Sequence, residues 1–136
     1  MPDALNANPV TQIPAAPSAV ALAHFESLLA LETDCWDVHE AMGRPEPGFV
    51  LVDVRSPDCY ARGHLPGAIN LPHGRLVERN LAPWDADTLF VVYCAGPHCN
   101  GADRAGVRLA RLGRPVKKMI GGVTGWIDEG YDLEVD

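Results

Sequence analysis

The sequence predicts an α/β fold with a parallel sheet, and three observations carry this prediction. The stretches FVLVDV (residues 49–54) and LFVVYC (89–94) are short, almost wholly apolar and bounded by turn residues, which is typical of strands buried on both faces. A weaker stretch, VKKMIGG (116–122), resembles them. Between the last two, ADRAGVRLARLGRP carries apolar residues at spacings of three and four, which predicts a helix that ends near its Gly and Pro. Strands alternating with helices indicate a parallel sheet covered by helices.

The chain of 136 residues has the length of one domain. Residues 1–18 are rich in Pro, Ala and Asn and are predicted to form a flexible arm, so the folded domain is predicted to span residues 19–136. Residues 19–31 fit either a helix or a helix followed by a short strand, and the pattern alone leaves both open. Thr33 or Asp34 would then cap the next helix.

The net charge and the distribution of apolar residues indicate which partners and which cellular location to expect. The formal net charge of -7 argues against nucleic acid as the main partner, because phosphate binding needs a basic surface. No apolar run approaches the roughly 20 residues that span a bilayer, and the N-terminus is a poor signal peptide. We therefore expect a cytoplasmic protein without a membrane partner, in which thiols stay mostly reduced.

Four cysteines divide into two isolated residues and one close pair. Cys35 and Cys59 lie in predicted helical segments without a polar companion motif and are interpreted as structural. Cys94 and Cys99 lie five positions apart on one predicted loop. The close pair therefore marks the loop after the second apolar strand as a candidate site.

Cys94 ends that strand, and ligands of such sheets bind where strands end at their carboxyl edge. The helix beginning near Gly101 would direct its free N–H groups and the positive end of its dipole at the loop. The small residues Ala95 and Gly96 would let backbone amides converge on an anion. This setting favours a reactive Cys94 thiolate, whereas the alternative is a buried apolar cysteine that merely ends a strand.

Three stretches of the sequence match the signatures of a known family in the expected order. The first is LVDVRSPDCYARGHLPGAINLP, the second is VVYCAGPHCNGADRAGVRLARLG, and the third is MIGGVTGW. On these signatures, residues 49–126 resemble a single-domain rhodanese, a sulfurtransferase of the cysteine-persulfide type.

The resemblance implies a rhodanese-like α/β fold with a central parallel five-stranded sheet flanked by helices. It implies that Cys94 accepts sulfur from a donor such as thiosulfate or a persulfide, and that cyanide or a cellular thiol, including a protein thiol, removes it. It implies no metal and no organic cofactor. The substrate-binding loop would comprise Ala95, Gly96, Pro97, His98, Cys99, Asn100 and Gly101. Signature residues expected to be mainly structural are Asp53, Arg55, His64, Asn70 and Trp126.

The loop departs from the family pattern in its charge. Family members often place an arginine or lysine there to contact an anionic donor, but residues 95–100 contain neither. This disfavours thiosulfate as the donor. Related phosphatases and arsenate reductases need an arginine six positions after the cysteine, where this chain has Asn100. Because an amide supplies no permanent positive charge, phosphatase chemistry is disfavoured.

Cys99 is a candidate resolving thiol. It would attack a persulfide or sulfenic acid on Cys94 and leave a Cys94–Cys99 disulfide. Alternatively, Cys99 packs under the loop and cannot reach Cys94, and the sequence leaves both possibilities open. A metal site built from the two cysteines and His98 matches no standard zinc spacing.

The sequence thus predicts a sulfurtransferase that acts through a Cys94 persulfide. The main alternative is a thiol–disulfide redox module that cycles Cys94 and Cys99 between dithiol and disulfide. A binding module that keeps the fold without catalysis is a third, which the intact Cys94 disfavours.

Overall fold

A computed structural model describes residues 8–136 of the chain. Contacts between residues divide the chain into two units, Met1–Ala30 and Leu31–Asp136. The first seven residues of the predicted flexible arm lie outside the described residues. The predicted domain boundary at residue 19 stays a prediction.

The first unit contains most of helix α1, Ser18–Leu31. The helix starts directly after Pro17, a residue that cannot donate a helical hydrogen bond but is tolerated at a helix start. None of the residues of α1 is buried, and large apolar side chains such as Phe25 are exposed. Of the two possibilities that the sequence left open, the structure has a helix throughout residues 19–31, and a two-residue strand follows it.

The second unit is built on a sheet of five parallel strands, as predicted from the sequence. The spatial order is β1-β5-β4-β2-β3, which places β4 in the centre. The strands are β1 Glu32–Thr33, β2 Val50–Asp53, β3 Ile69–Asn70, β4 Phe90–Tyr93 and β5 Val116–Met119.

Helices connect the strands at both faces of the sheet. Asp34 caps α2, because its side chain accepts a hydrogen bond of 2.8 Å from the Asp37 amide. The helices of the second unit are α2 Cys35–Met42, α3 Pro57–Arg62, α4 Glu78–Leu81, α5 Gly101–Arg111 and α6 Gly122–Asp128, with a 3₁₀ turn at His73–Arg75. Among the residues described, no helix combines the length and apolar character needed to cross a bilayer.

Two apolar layers cover the two faces of the sheet, and Cys94 belongs to the layer that packs against α5. Side chains alternate between faces along a strand. Val92 and Cys94 accordingly pack with Ala105 of α5, whereas Tyr93 packs in the opposite layer with Trp126 of α6. The alternation therefore aims the Cys94 side chain at the helix that follows its own strand.

Candidate active site

Cys94 directly follows the central strand β4 and is 7% exposed. Its Sγ lies against the start of α5, since a Cβ built on Gly101 would come within 2.7 Å of it. A contact that short is not tolerated, so the helix can begin this close to the sulfur only with glycine at that position. Sulfur and helix N-terminus are thereby brought together, the arrangement that favours a thiolate.

Cys99 lies on the same loop as Cys94 and is in direct contact with it. The two sulfur atoms form a disulfide, and the two Cα atoms are 6.5 Å apart. The Gly101 amide donates a hydrogen bond of 3.4 Å to Cys99 Sγ, and the Cys99 amide donates one of 3.1 Å to the Gly96 carbonyl. Of the two placements that the sequence left open, the structure has the one in which Cys99 reaches Cys94.

We refer to residues 94–101 as the cysteine loop. An open cavity of about 310 Å³ adjoins it. Within the loop, Ala95, Pro97, His98 and Asn100 are exposed, and Gly96 is half-buried. The cavity lining consists of Ala95, Gly96, Pro97, His98, Cys99 and Thr124. Five of the seven residues predicted for the substrate-binding loop therefore line the cavity, whereas Asn100 and Gly101 do not.

The first turn of α6 holds the start of the cysteine loop through backbone hydrogen bonds. The Val123 amide donates to the Cys94 carbonyl at 3.1 Å, and the Thr124 amide donates to the Ala95 carbonyl at 3.0 Å. Gly122 has φ +58°, and a Cβ there would lie 2.5 Å from the Cys94 carbonyl oxygen. Glycine is thus required both by the left-handed backbone and by the close approach of the two chain segments.

Thr124 is a site residue that the sequence reasoning missed. Its hydroxyl lies 3.2 Å from the Ala95 carbonyl oxygen, to which it donates, and its side chain lines the cavity. A Cβ on Gly96 would come within 2.6 Å of Thr124 Oγ1. The signal was present in MIGGVTGW, which supplies two residues that hold the loop in addition to the buried Trp126.

Cys35 contacts the segment that leads into α6, and its thiol is unreactive as a nucleophile because it stays protonated. Its Sγ donates to the carbonyls of Ile120 at 3.5 Å and Gly122 at 3.7 Å. Burial above all, with smaller effects of Asp34 and Glu129, raises the pKa of Cys35 to about 11. The thiol is therefore neutral at physiological pH.

The first-signature residues form a hydrogen-bonded network at the end of β2, which we call the Asp53 network. Asp53 is fully buried, and Arg55 binds both of its carboxylate oxygens, with Nε 3.0 Å from Oδ1 and Nη2 2.7 Å from Oδ2. Arg55 Nη2 also donates to the Gly63 carbonyl at 2.7 Å. Asn70 Nδ2 donates to the carbonyls of Asp53 and Arg55, each at 3.0 Å. These partners place the three residues within the framework of the domain.

Tyr93 adjoins this network from β4, where it pairs with Asp53 in the sheet register. Its hydroxyl accepts a hydrogen bond of 3.1 Å from the Leu65 amide. Burial, together with the neighbouring Asp53 carboxylate, raises the pKa of Tyr93 well above its usual value. Tyr93 therefore stays neutral and connects the Asp53 network to the strand that precedes Cys94.

His64 is buried and turned towards the C-terminal segment. Its Nδ1 lies 3.0 Å from the Tyr60 carbonyl, and its ring stacks on Tyr60. Its Nε2 lies 3.3 Å from Asp136 Oδ1, and with Glu134 these groups offer three ligand atoms within 4.8 Å of one another. Both carboxylates are exposed, and exposed acidic groups are common without a metal, so the cluster alone identifies no metal site.

Trp126 and Cys59 lie outside the cavity lining. Trp126 is buried, and its Nε1 donates a hydrogen bond of 2.9 Å to the Asp132 carbonyl. Cys59 is half-buried in α3, where Arg62 Nη2 lies 3.4 Å from its Sγ.

Together these features define a class of α/β domain that presents a cysteine on a loop between its central strand and the following helix. The model of the rhodanese-like domain family matches residues 37–129, and the chain belongs to this family. The resemblance seen in the sequence is thereby confirmed.

The chain is similar to two curated proteins over part of its length. The chain is 36% identical to the thiosulfate sulfurtransferase GlpE of Pseudomonas entomophila over 90 residues, which cover 64% of this chain and 78% of that protein. It is 44% identical over 99 residues to the HTH-type transcriptional regulator Rv0324 of Mycobacterium tuberculosis, which covers 67% of this chain. The chain spans only 43% of the length of that regulator.

Solved structures support the fold assignment. The BH2092 protein from Bacillus halodurans superposes with a TM-score of 0.83 at 33% identity, covering 88% of this chain and 87% of that one. The thiosulfate sulfurtransferase from Pseudomonas aeruginosa superposes with a TM-score of 0.63 at 25% identity, covering 81% of this chain and 21% of that one. Sulfurtransferases are thus among the relatives by sequence and by structure.

Proposed function

We propose that the domain is a sulfurtransferase that carries sulfane sulfur as a persulfide on Cys94. The observation that carries this proposal is the position of the Cys94 sulfur, at the end of the central strand and against the first residue of α5. The thiolate would attack the outer sulfur of a donor, and the rest of the donor would leave. A thiophilic acceptor would then take the terminal sulfur and restore the thiolate.

The charge of the cysteine loop bears on the donor. Residues 95–100 include no arginine or lysine, so binding would depend on backbone amides and the dipole of α5. A donor with one negative charge, such as an organic persulfide or thiosulfonate, suits such a site better than the dianion thiosulfate. We propose cyanide and low-molecular-weight or protein thiols as acceptors, in the cytoplasm, with neither nucleic acid nor membrane as a partner.

The test is mass spectrometry of the intact, reduced chain after exposure to thiosulfate and, separately, to benzenethiosulfonate. Cys99→Ser should gain one sulfur atom, because Cys94 alone suffices to carry it, and cyanide should remove that sulfur as thiocyanate. Cys94→Ser should gain none. Cys59→Ser serves as the matched control and should behave like the unaltered chain. A Cys99→Ser protein that takes no sulfur from either donor would rule the proposal out.

A thiol–disulfide redox module is the second candidate, and the Cys94–Cys99 disulfide favours it. Such a module would need no sulfur donor. Its activity would be lost in Cys94→Ser and in Cys99→Ser alike, whereas sulfur loading of Cys94 survives the loss of Cys99. The two variants therefore separate the two functions.

A further inference from the structure

We infer that Cys99 discharges the Cys94 persulfide as free sulfide, so that the domain reduces sulfane sulfur at the expense of thiols. This inference rests on the proposed function, because it requires the Cys94 persulfide to form. It adds a product and a class of reductant to that function. Three features of the cysteine loop carry it.

The first feature is the reach between the two cysteines. Their Cα atoms are 6.5 Å apart, within the limit of about 7 Å for a disulfide, and their sulfur atoms are bonded. The hydrogen bond from the Cys99 amide to the Gly96 carbonyl folds the loop back on itself and returns Cys99 to Cys94. The loop therefore accommodates the bonded pair with its own hydrogen bonds in place.

The second feature is the environment of Cys99. The Gly101 amide, at the start of the 11-residue helix α5, donates to Cys99 Sγ at 3.4 Å. A Cβ at Gly101 would lie 3.4 Å from Cys99 Sγ and 2.7 Å from Cys94 Sγ, so the same glycine borders both sulfurs. An amide and a positive helix end stabilise a thiolate, which is the form that attacks a persulfide.

The bond between the two cysteine sulfurs indicates which sulfur of the Cys94 persulfide Cys99 attacks. Because Cys99 Sγ meets Cys94 Sγ, the Cys99 thiolate attacks the inner sulfur of the persulfide. The Cys94–Cys99 bond forms, the bond from Cys94 Sγ to the terminal sulfur breaks, and that sulfur leaves with the electron pair as HS⁻. The balance is one persulfide plus one thiol giving one disulfide plus one H₂S.

The third feature is the unequal exposure of the two sulfurs. Cys94 is 7% exposed, whereas Cys99 is half-buried and lines the open cavity. An external thiol therefore attacks the Cys99 sulfur of the disulfide, which frees the Cys94 thiolate first. A second thiol then releases Cys99, so that each cycle consumes two thiols and yields one sulfide and one external disulfide.

The experiment is a single turnover without air and without added thiol. The full chain is reduced, freed of reductant and mixed with benzenethiosulfonate, which leaves a sulfinate and supplies no thiol of its own. Sulfide is trapped with monobromobimane, and the remaining protein thiols are alkylated after denaturation and counted by mass. We expect one equivalent of sulfide and the loss of two of the four thiols.

Variants separate this inference from the function on which it rests. Cys99→Ser, with Cys99→Ala as a second replacement, should keep the added sulfur and release no sulfide, whereas Cys59→Ser should match the unaltered chain. If the unaltered chain keeps its persulfide and releases no sulfide, the inference fails while sulfur transfer stands. If Cys99→Ser and Cys99→Ala take no sulfur, the proposed function itself fails. A disulfide that forms without sulfide would also overturn the inference.

Discussion

The strands β2 and β4 are neighbours that end at the same edge of the sheet, yet the residues after them are organised in opposite ways. At the end of β2, the buried carboxylate of Asp53 is bound at both oxygens by Arg55. After β4, the two sulfurs of the cysteine loop are bonded to each other, the Gly101 amide donates to Cys99 Sγ, and an open cavity adjoins the loop. The end of β2 is therefore fixed by side-chain hydrogen bonds, whereas the cysteine pair after β4 borders open space.

Removal of Arg55 should give the largest effect on stability. Arg55→Ala leaves the Asp53 carboxylate buried without its cation, and we expect the free energy of unfolding to fall by about 3–5 kcal/mol. Urea denaturation followed by circular dichroism measures this loss. The control is Arg44→Ala, which removes an exposed ion pair with Glu40 and should cost about 1 kcal/mol or less. Equal losses in the two variants would contradict a framework role for the Asp53 network.

Substitution of Gly101 should affect sulfur loading more than it affects stability. In Gly101→Ala the new methyl group collides with Cys94 Sγ, so we expect the rate of sulfur loading to fall by about 100-fold with a comparatively small change in stability. Gly106→Ala, in the same helix, meets nothing within 4 Å and should load sulfur normally. Stopped reactions analysed by mass give the rates. Similar rates for both alanine variants would show that the close approach of α5 is unimportant.

Replacement of Cys35 should have a smaller effect on the free energy of unfolding, and this effect should depend on pH. Its pKa is about 11 in the folded chain against 9.0 for an unperturbed thiol, so its contribution to stability is complete below pH 9. As the pH rises towards 11, the unfolded thiol ionises first, and the contribution is lost. The free energy of unfolding should therefore decrease over this interval, and less steeply in Cys35→Ala. Parallel curves for the two proteins would contradict the raised pKa.

Thr124 should give the smallest effect. Thr124→Val keeps the shape and the amide but removes the hydroxyl that donates to Ala95, a bond worth about 1 kcal/mol. We expect a several-fold slower loading of sulfur, and Thr124→Ser should restore it. A normal rate in Thr124→Val would mean that the backbone hydrogen bonds alone position the loop.

Features that depend on short stretches of chain were predictable from the sequence. The apolar strands β2 and β4 are encoded in consecutive residues, and the start of α5 follows from the pattern after Cys94. The identity of β1 was left open, because two residues carry no periodicity and gain their partner only from β5. Local sequence is sufficient where an element's stabilising contacts are local.

Features that depend on distant contacts were not predictable. Thr124 meets Ala95 across 29 positions, and Tyr93 meets Leu65 across 28. The meeting of Cys94 and Cys99 depends on how the loop backbone turns, which two cysteines at a spacing of five do not determine. These contacts are created by packing between elements, so only the folded chain displays them.

Backbone amides of α6 donate hydrogen bonds to the first two residues of the cysteine loop, Cys94 and Ala95. Because these bonds hold the start of the loop, we expect that the length of residues 96–100 can change without displacing Cys94. In evolutionary terms, the position of the Cys94 sulfur would then be separable from the shape of the surface around it. We expect insertions or deletions in these five residues to change the shape of the cavity more than the position of Cys94.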